Sequence, residues 1–331
     1  MREEQTIEGT FHNTPVLVTG GCGFIGSHLV ERLAAAGAAV TVVDNFQSGA
    51  RTNLAHISQT VDVVEGDVRQ FTAMEALVLR CTPAYVFHLA ANASVPNSVQ
   101  DPAYDFEANA SGTFALLNAV RLVGSCRKVV SASSGAVYGE PVTFPIAETD
   151  ALAPISPYGA SKLCSEVTAR IMHTVYGVPV TISRIFNTYG PRMARFVILD
   201  FLKKLDRDSS RLEILGTGRQ VRDFTYVTDT VEGLMLLALH GTPAEAYNVS
   251  SGTSSTVTGL AHELIAARNY MHETELCFTG QSWQGDAQRW EVSIAKLQAL
   301  GYRARVNLRE GIERTMAWYD GRIRAGAAAG G

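Results

Sequence analysis

From Pro15 onward the apolar residues fall into short unbroken runs, and the runs alternate with stretches of helical spacing. Pro15-Val16-Leu17-Val18-Thr19 is the first run and ends in glycines. Residues 27–36 place apolar side chains at helical intervals and stop at Gly37. A run at 40–43 ends at Asp44. Residues 61–65 predict a third strand, 72–80 a helix and 85–89 a fourth strand. A helix over 104–122, a strand at 129–131, a helix over 161–176 and a strand at 178–183 continue the series. Continuous apolar strands alternating with helices predict an α/β fold, a doubly wound parallel sheet covered on both faces. The alternation weakens after residue 190. The expected organisation is a first domain over 15–183 with a return to its sheet near 224–250. Residues 184–223 and 251–320 form a smaller, discontinuous C-terminal lobe. Residues 1–14 read as a flexible leader and 325–331, rich in Ala and Gly, as a flexible tail.

Ligands of such sheets bind at the carboxyl ends of the strands, so the residues just after each run matter most. The first strand enters Gly20-Gly21-Cys22-Gly23-Phe24-Ile25-Gly26, which opens a helix. Gly20 permits the tight turn, Gly23 lets the backbone approach a pyrophosphate, and Gly26 lets helix and strand pack closely. The helix N-terminus then faces phosphate charge. Asp44 closes the next strand, where a carboxylate accepts from ribose hydroxyls and repels a 2′-phosphate. The combination predicts a Rossmann-type dinucleotide site that takes NAD rather than NADP. Asp67, after the third strand, reads either as an adenine contact or as the cap of the following helix. His88-Leu89-Ala90-Ala91 ends the fourth strand; the small residues let a cofactor lie against the backbone, and His88 reads as a packed strand residue.

Tyr158 and Lys162 stand four apart, on one face if the segment is helical. An ammonium near a phenol lowers its pKa, and the phenolate can act as a general base. Ser131-Ala132-Ser133-Ser134 follows the fifth strand and offers hydroxyls to a substrate oxygen. Glycine loop, carboxylate, hydroxyl cluster and Tyr-x-x-x-Lys occur in the chain order a nicotinamide-dependent enzyme needs.

Composition narrows the setting. The 331 residues are 46% hydrophobic and 18% charged, with net charge −4, which speaks against a nucleic-acid footprint. No apolar run approaches the roughly 20 residues of a membrane helix. The polar start does not read as a secretory signal. Five scattered cysteines without a Cys-x-x-Cys pair indicate neither disulfide framework nor zinc site, so no metal is expected and a cytoplasmic setting is.

Taken together, these motifs resemble the extended short-chain dehydrogenases/reductases, specifically the nucleotide-sugar epimerases and dehydratases. The resemblance runs from about Pro15 to Trp318. It is carried by the glycine loop, His88-Leu89-Ala90-Ala91, Ser133-Ser134-Gly135-Ala136-Val137-Tyr138-Gly139, Ser156-Pro157-Tyr158-Gly159-Ala160-Ser161-Lys162, residues 184–192 and Arg222-Asp223-Phe224-Thr225-Tyr226-Val227. It implies Tyr158 as base, Lys162 as its partner on the nicotinamide ribose, and Ser134 on the substrate hydroxyl. It places Phe24, Ile25, Asn45, Val68 and Asn109 around NAD. Ser133, Asn187, Arg222 and Arg289 fall to the sugar nucleotide, a UDP-sugar in this reading. For Arg222, a salt bridge with Asp223 is the competing role.

The positions after Ser134 bear on the reaction. The 4,6-dehydratases resemble one another in an Asp-Glu pair directly before Val-Tyr-Gly, and the glucuronate decarboxylases in a glutamate. Here Gly135 and Ala136 stand there, and neither moves a proton. That pattern is similar to the 4-epimerases. A dehydratase or decarboxylase would need a substitute such as Glu140, Glu148 or Cys164. A catalytically silent NAD-binding protein is the third reading. Two departures concern the substrate: the stretch 190–199 is short, and Trp283-Gln284 precede Gly285-Asp286 where the family often carries an arginine, with Arg289 as the replacing cation. A homodimer through the helices 104–122 and 161–176 is expected.

Overall fold

The computed structural model describes residues 7–270, 273–281 and 287–329. Seven strands make one parallel sheet: β1 (Pro15–Thr19), β2 (Ala39–Asp44), β3 (Val61–Glu65), β4 (Tyr85–His88), β5 (Lys128–Ser134), β6 (Val180–Ile185) and a late strand, Ala246–Val249, in the order β3-β2-β1-β4-β5-β6 and then the late strand. The chain moves outward from β1 in both directions, so the crevice between β1 and β4 is the switch point of the sheet. Register pairs Thr19 with both Val43 and His88, and His88 with Ser131, which aligns the carboxyl ends along one edge.

Strand alternation divides the core. Val16, Val18, Val40, Val42, Phe87 and Val130 face the helices Phe24–Ala35 and Val227–His240. Leu17, Val43, Val86 and Val129 face the opposite layer, where Met74, Leu116, Leu117 and Met172 close the core. The second lobe holds the strands β7 (Asn187–Tyr189), β8 (Arg211–Ile214), β9 (Val221–Tyr226), with Ala246–Val249 as β10, β11 (Ser254–Thr256) and β12 (Glu275–Phe278). In it β7, β9 and β11 form one small sheet, and β8 with β12 another. Tyr189, Phe201, Leu202, Phe224, Leu260, Leu264 and Ile312 build its separate core.

Five expectations need correction. Residues 7–14 are not a loose leader: Ile7–Phe11 is helical, and Phe11 is fully buried against Tyr85 and Phe87. The terminal helix, Leu308–Ala329, runs through most of the expected tail. The return to the large sheet begins at the helix Val227–His240, because β9 at 221–226 pairs with β7 and β11 instead. The fifth strand continues to Ser134, since polar but paired Ser131–Ser134 face Ile182–Ile185 across the ladder. The helix predicted over 104–122 is also interrupted, with a wide turn at Glu107–Ser111 before Gly112–Val123.

Candidate active site

At the end of β1 the backbone of Gly20 is left-handed (φ 69°), and a Cβ there would stand 2.7 Å from the Ala90 nitrogen. A Cβ on Gly26 would reach 2.1 Å from the Gly20 oxygen. Side chains are thus excluded where strand, turn and helix meet, and the first helical turn after Gly23 is left with its N–H groups facing the strand ends. Phe24 and Ile25 pack against the core of the second lobe. The Asp44 carboxylate accepts from the Cys22 amide at 2.9 Å and the Phe46 amide at 2.8 Å, tying the turn to the end of β2, and burial raises it above the usual carboxylate range.

Asp67 does not cap the next helix; Gln70 stands at that position. Burial opposes its charge, but the Arg69 guanidinium and backbone, together with the Asn45 amide at 2.9 Å, hold its carboxyl down to about 2. Val68 packs under Gly112, while Leu89, Ala90 and Ala91 are half-buried along the crevice. His88 is bonded to Thr19 and Thr113, and burial and the Lys162 charge push it down to about 3, a neutral packed residue.

The helix Pro157–Tyr176 starts where the Ser156 hydroxyl accepts from the Gly159 amide at 3.1 Å, with Pro157 in its first turn. This start sets Tyr158 beside Ser134 at the end of β5. One turn on, buried Lys162 donates to the Ala132 carbonyl at 2.9 Å. Burial pushes its ammonium down to about 8, against the pull of Asp105 and Glu166. The expectation that Lys162 lowers the phenol is not met. Burial raises Tyr158, and what opposes it is the neighbouring Ser134 hydroxyl and the charge of Arg195.

Beneath this pair lies a polar floor that sequence reasoning missed. Asp105, fully buried, accepts from Ser161 at 2.6 Å, Asn92 at 2.8 Å and Asn109 at 3.1 Å. Asn109, in the wide turn, also donates to the Asn92 carbonyl and Ser161, and its own Oδ1 is buried without a hydrogen-bond partner. Glu166, two turns beyond Tyr158 on its face, accepts from Arg184 twice. A carboxylate on an apolar helix face was the available signal for both acids. Ser133 was expected at the substrate but points the other way, donating to Glu166 at 2.6 Å, because neighbouring residues of a strand face opposite sides.

On the second lobe, Asn187 donates to the Asp223 carbonyl at 3.4 Å. Arg222, buried, donates to the Val221 carbonyl and lies over the Trp290 ring, while the Asp223 carboxylate accepts from the Ser251 amide and hydroxyl. Arg289 pairs with Glu291 and lies over Phe144, and its backbone is bridged to Val221, next to Arg222. Trp283, Gln284, Gly285 and Asp286 lie outside the described residues. At position 135 a Cβ would stand 2.5 Å from the Phe186 ring, leaving no room for an acid. Of the conceivable substitutes, Glu140 accepts from the Gln288 amide, Glu148 from the Asn248 amide, and Cys164 is exposed. Among the described residues no helix is long and apolar enough to cross a membrane.

Residues 17–315 match the family model described as GDP-mannose 4,6 dehydratase. The chain belongs to that family of extended short-chain dehydrogenases/reductases. It is similar to the UDP-glucose 4-epimerase of Thermotoga maritima, solved with UDP-glucose: TM-score 0.86 and 35% identity over 93% of this chain and 99% of that one. A dTDP-glucose 4,6-dehydratase from Streptomyces venezuelae, solved with NAD bound, gives a TM-score of 0.84 at 30% identity, covering 92% and 97%. The UDP-glucuronic acid decarboxylase 1 of Xenopus tropicalis is 31% identical, covering 92% of this chain and 72% of its own. The family member described here therefore has an enzyme scaffold on which relatives carry out three different reactions.

Proposed function

We propose that this protein is an NAD-dependent 4-epimerase of a nucleoside-diphosphate sugar, a UDP-sugar by the ligand of its Thermotoga relative. The observation that carries the reading is the packed contact between Gly135 and Phe186 next to Ser134. Elimination across C5 and C6 needs an acid and a base beside the tyrosine. Here the site of one is filled by an aromatic ring, and Ala136 has no proton to move.

The residues present suit the cofactor. The glycine turn admits a pyrophosphate, Asp44 stands where the adenosine ribose would lie, and the crevice along Leu89, Ala90 and Ala91 is free of bulky polar groups. When bound, NAD supplies the acceptor and donor of hydride. Tyr158 takes the proton of the sugar 4-hydroxyl as the C4 hydrogen leaves with its electron pair. Ser134 holds the oxygen throughout. The 4-keto sugar then turns over, anchored at its diphosphate by Arg222 and Asn187. Hydride returns to the opposite face and Tyr158 gives its proton back. Lys162 keeps positive charge and a donor at the nicotinamide ribose. No net redox change occurs, so NAD stays bound.

Incubation with UDP-, GDP-, CDP- and dTDP-sugars, read by mass spectrometry and NMR, tests the proposal. The expected product has unchanged mass and inverted C4; loss of water or carbon dioxide refutes epimerisation. Tyr158→Phe is expected to abolish turnover while NAD remains bound. We also propose a homodimer through the outer helix faces, where Phe106, Phe114, Val167, Ile171 and Val175 are each at least 43% exposed.

A further inference from the structure

Three segments that follow different strands of the large sheet are tied together side chain to side chain. Asn45 and Gln47 follow β2, Asp67 and Arg69 follow β3, and Tyr104 and Glu107 belong to the helical stretch that follows β4. In the sheet, β2 and β4 stand on opposite sides of β1. Their following segments nevertheless meet, because the Tyr104 hydroxyl donates to the Gln47 side-chain oxygen. From β3, Arg69 donates to Glu107 at 3.2 Å and lies 4.9 Å from the centre of the Tyr104 ring. It also donates to Asp67 with two nitrogens, at 3.0 and 2.9 Å. Asp67 accepts from Asn45 at 2.9 Å, and the Asn45 side chain accepts from the Gln47 amide at 3.1 Å, which closes the circuit.

This circuit rims the crevice rather than flooring it. Asp44 and Val68, the chain neighbours of Asn45 and Arg69, are buried, whereas Asn45 and Gln47 are exposed and Arg69 and Tyr104 half-buried. Strand order gives the circuit its place: a contact from the end of β2 to the segment after β4 passes the carboxyl end of β1, where the glycine turn begins. Arg69 holds the Tyr104 ring by its face and so presents the phenol to Gln47. We propose that the Tyr104–Gln47 bond is a latch over the adenosine end of the crevice, which opens for NAD to enter or leave and sets how long it stays. A gate slows entry and exit alike, whereas a residue that merely touches the cofactor slows exit alone. The latch rests on the crevice as the NAD site and not on epimerisation as the outcome.

Cofactor exchange tests it. Protein loaded with radiolabelled NAD is chased with excess unlabelled NAD, and uptake of label by cofactor-free protein is timed in parallel. Tyr104→Phe removes only the hydroxyl, and Gln47→Ala removes its acceptor. Each is expected to speed release about two- to ten-fold, the worth of one hydrogen bond. Uptake is expected to speed up by a similar factor, so that the dissociation constant stays within about two-fold of wild type. The double variant is expected to match the single ones, because both residues act through one bond. Release that is unchanged in both variants overturns the proposal. So does faster release with unchanged uptake, which would make Tyr104 a direct contact of the cofactor. Effects that multiply in the double variant overturn it as well. Protein that takes up no label removes the NAD site and the latch together, whereas loss of water or carbon dioxide from a sugar nucleotide bears on epimerisation alone.

Discussion

The Arg184–Glu166 pair offers a demanding test of how the site is held. Its side chains are 1% and 0% exposed. Arg184 donates to the two carboxylate oxygens at 2.9 and 2.8 Å, and to the Tyr138 hydroxyl at 2.7 Å. Glu166 also accepts from Ser133 and from Arg170 at 3.2 Å. The pair thus joins the helix of Tyr158 and Lys162 to β5 and β6. Arg184→Met leaves the carboxylate buried with one hydroxyl and one half-exposed arginine, and breaking such a pair costs about 3–5 kcal/mol. For a chain of 331 residues the unfolding entropy is about 0.7 kcal/mol/K, so the melting temperature should fall by about 4–7 °C. The double variant Arg184→Met with Glu166→Leu removes both charges and should melt above the single variant, because no uncompensated charge remains. Differential scanning calorimetry at matched protein and cofactor concentrations reads both, since bound ligand shifts the transition. A single variant within about 1 °C of wild type would refute the reasoning, as would a double variant that melts below the single one.

Other consequences follow from the same geometry. Lys162 is pushed from 10.5 down to about 8 by burial, so its ammonium is lost as pH rises through about 8, and turnover should decline above that pH in a steady-state pH profile. The unfolded chain binds the extra proton between these values, so the cost of burying the charge is full below about 8 and fades toward 10.5. Lys162→Met should therefore unfold at no lower temperature than wild type at pH 7, yet be inactive; a clearly lower melting temperature would contradict the sign. Asp44→Ala should weaken NAD and lose about ten-fold or more of the discrimination against NADP, measured by fluorescence titration of cofactor-free protein. Ile171→Glu with Val175→Glu puts charge on the exposed helix face and should yield monomers in light scattering, while a persistent dimer would place the interface elsewhere.

By itself the sequence determined what depends on near neighbours in the chain. The alternation of runs and helical spacings sufficed for the doubly wound sheet, because each element must cover its apolar side. Gly20 to Gly26, and Tyr158 with Lys162, were legible because a turn or a helix sets their relative positions whatever surrounds them. The tertiary structure decided what depends on distant segments meeting. Asp105 meets Ser161, and Arg184 meets Glu166, each pair from two separate elements. Ser133 turned away from Ser134 only once the length of β5 was known. Arg195, from the second lobe, adds its charge to the surroundings of Tyr158, which its own helix could not show. Charge acts through space, and spacing along one helix cannot report which remote residue the fold brings to the phenol, nor how much water burial removes from it.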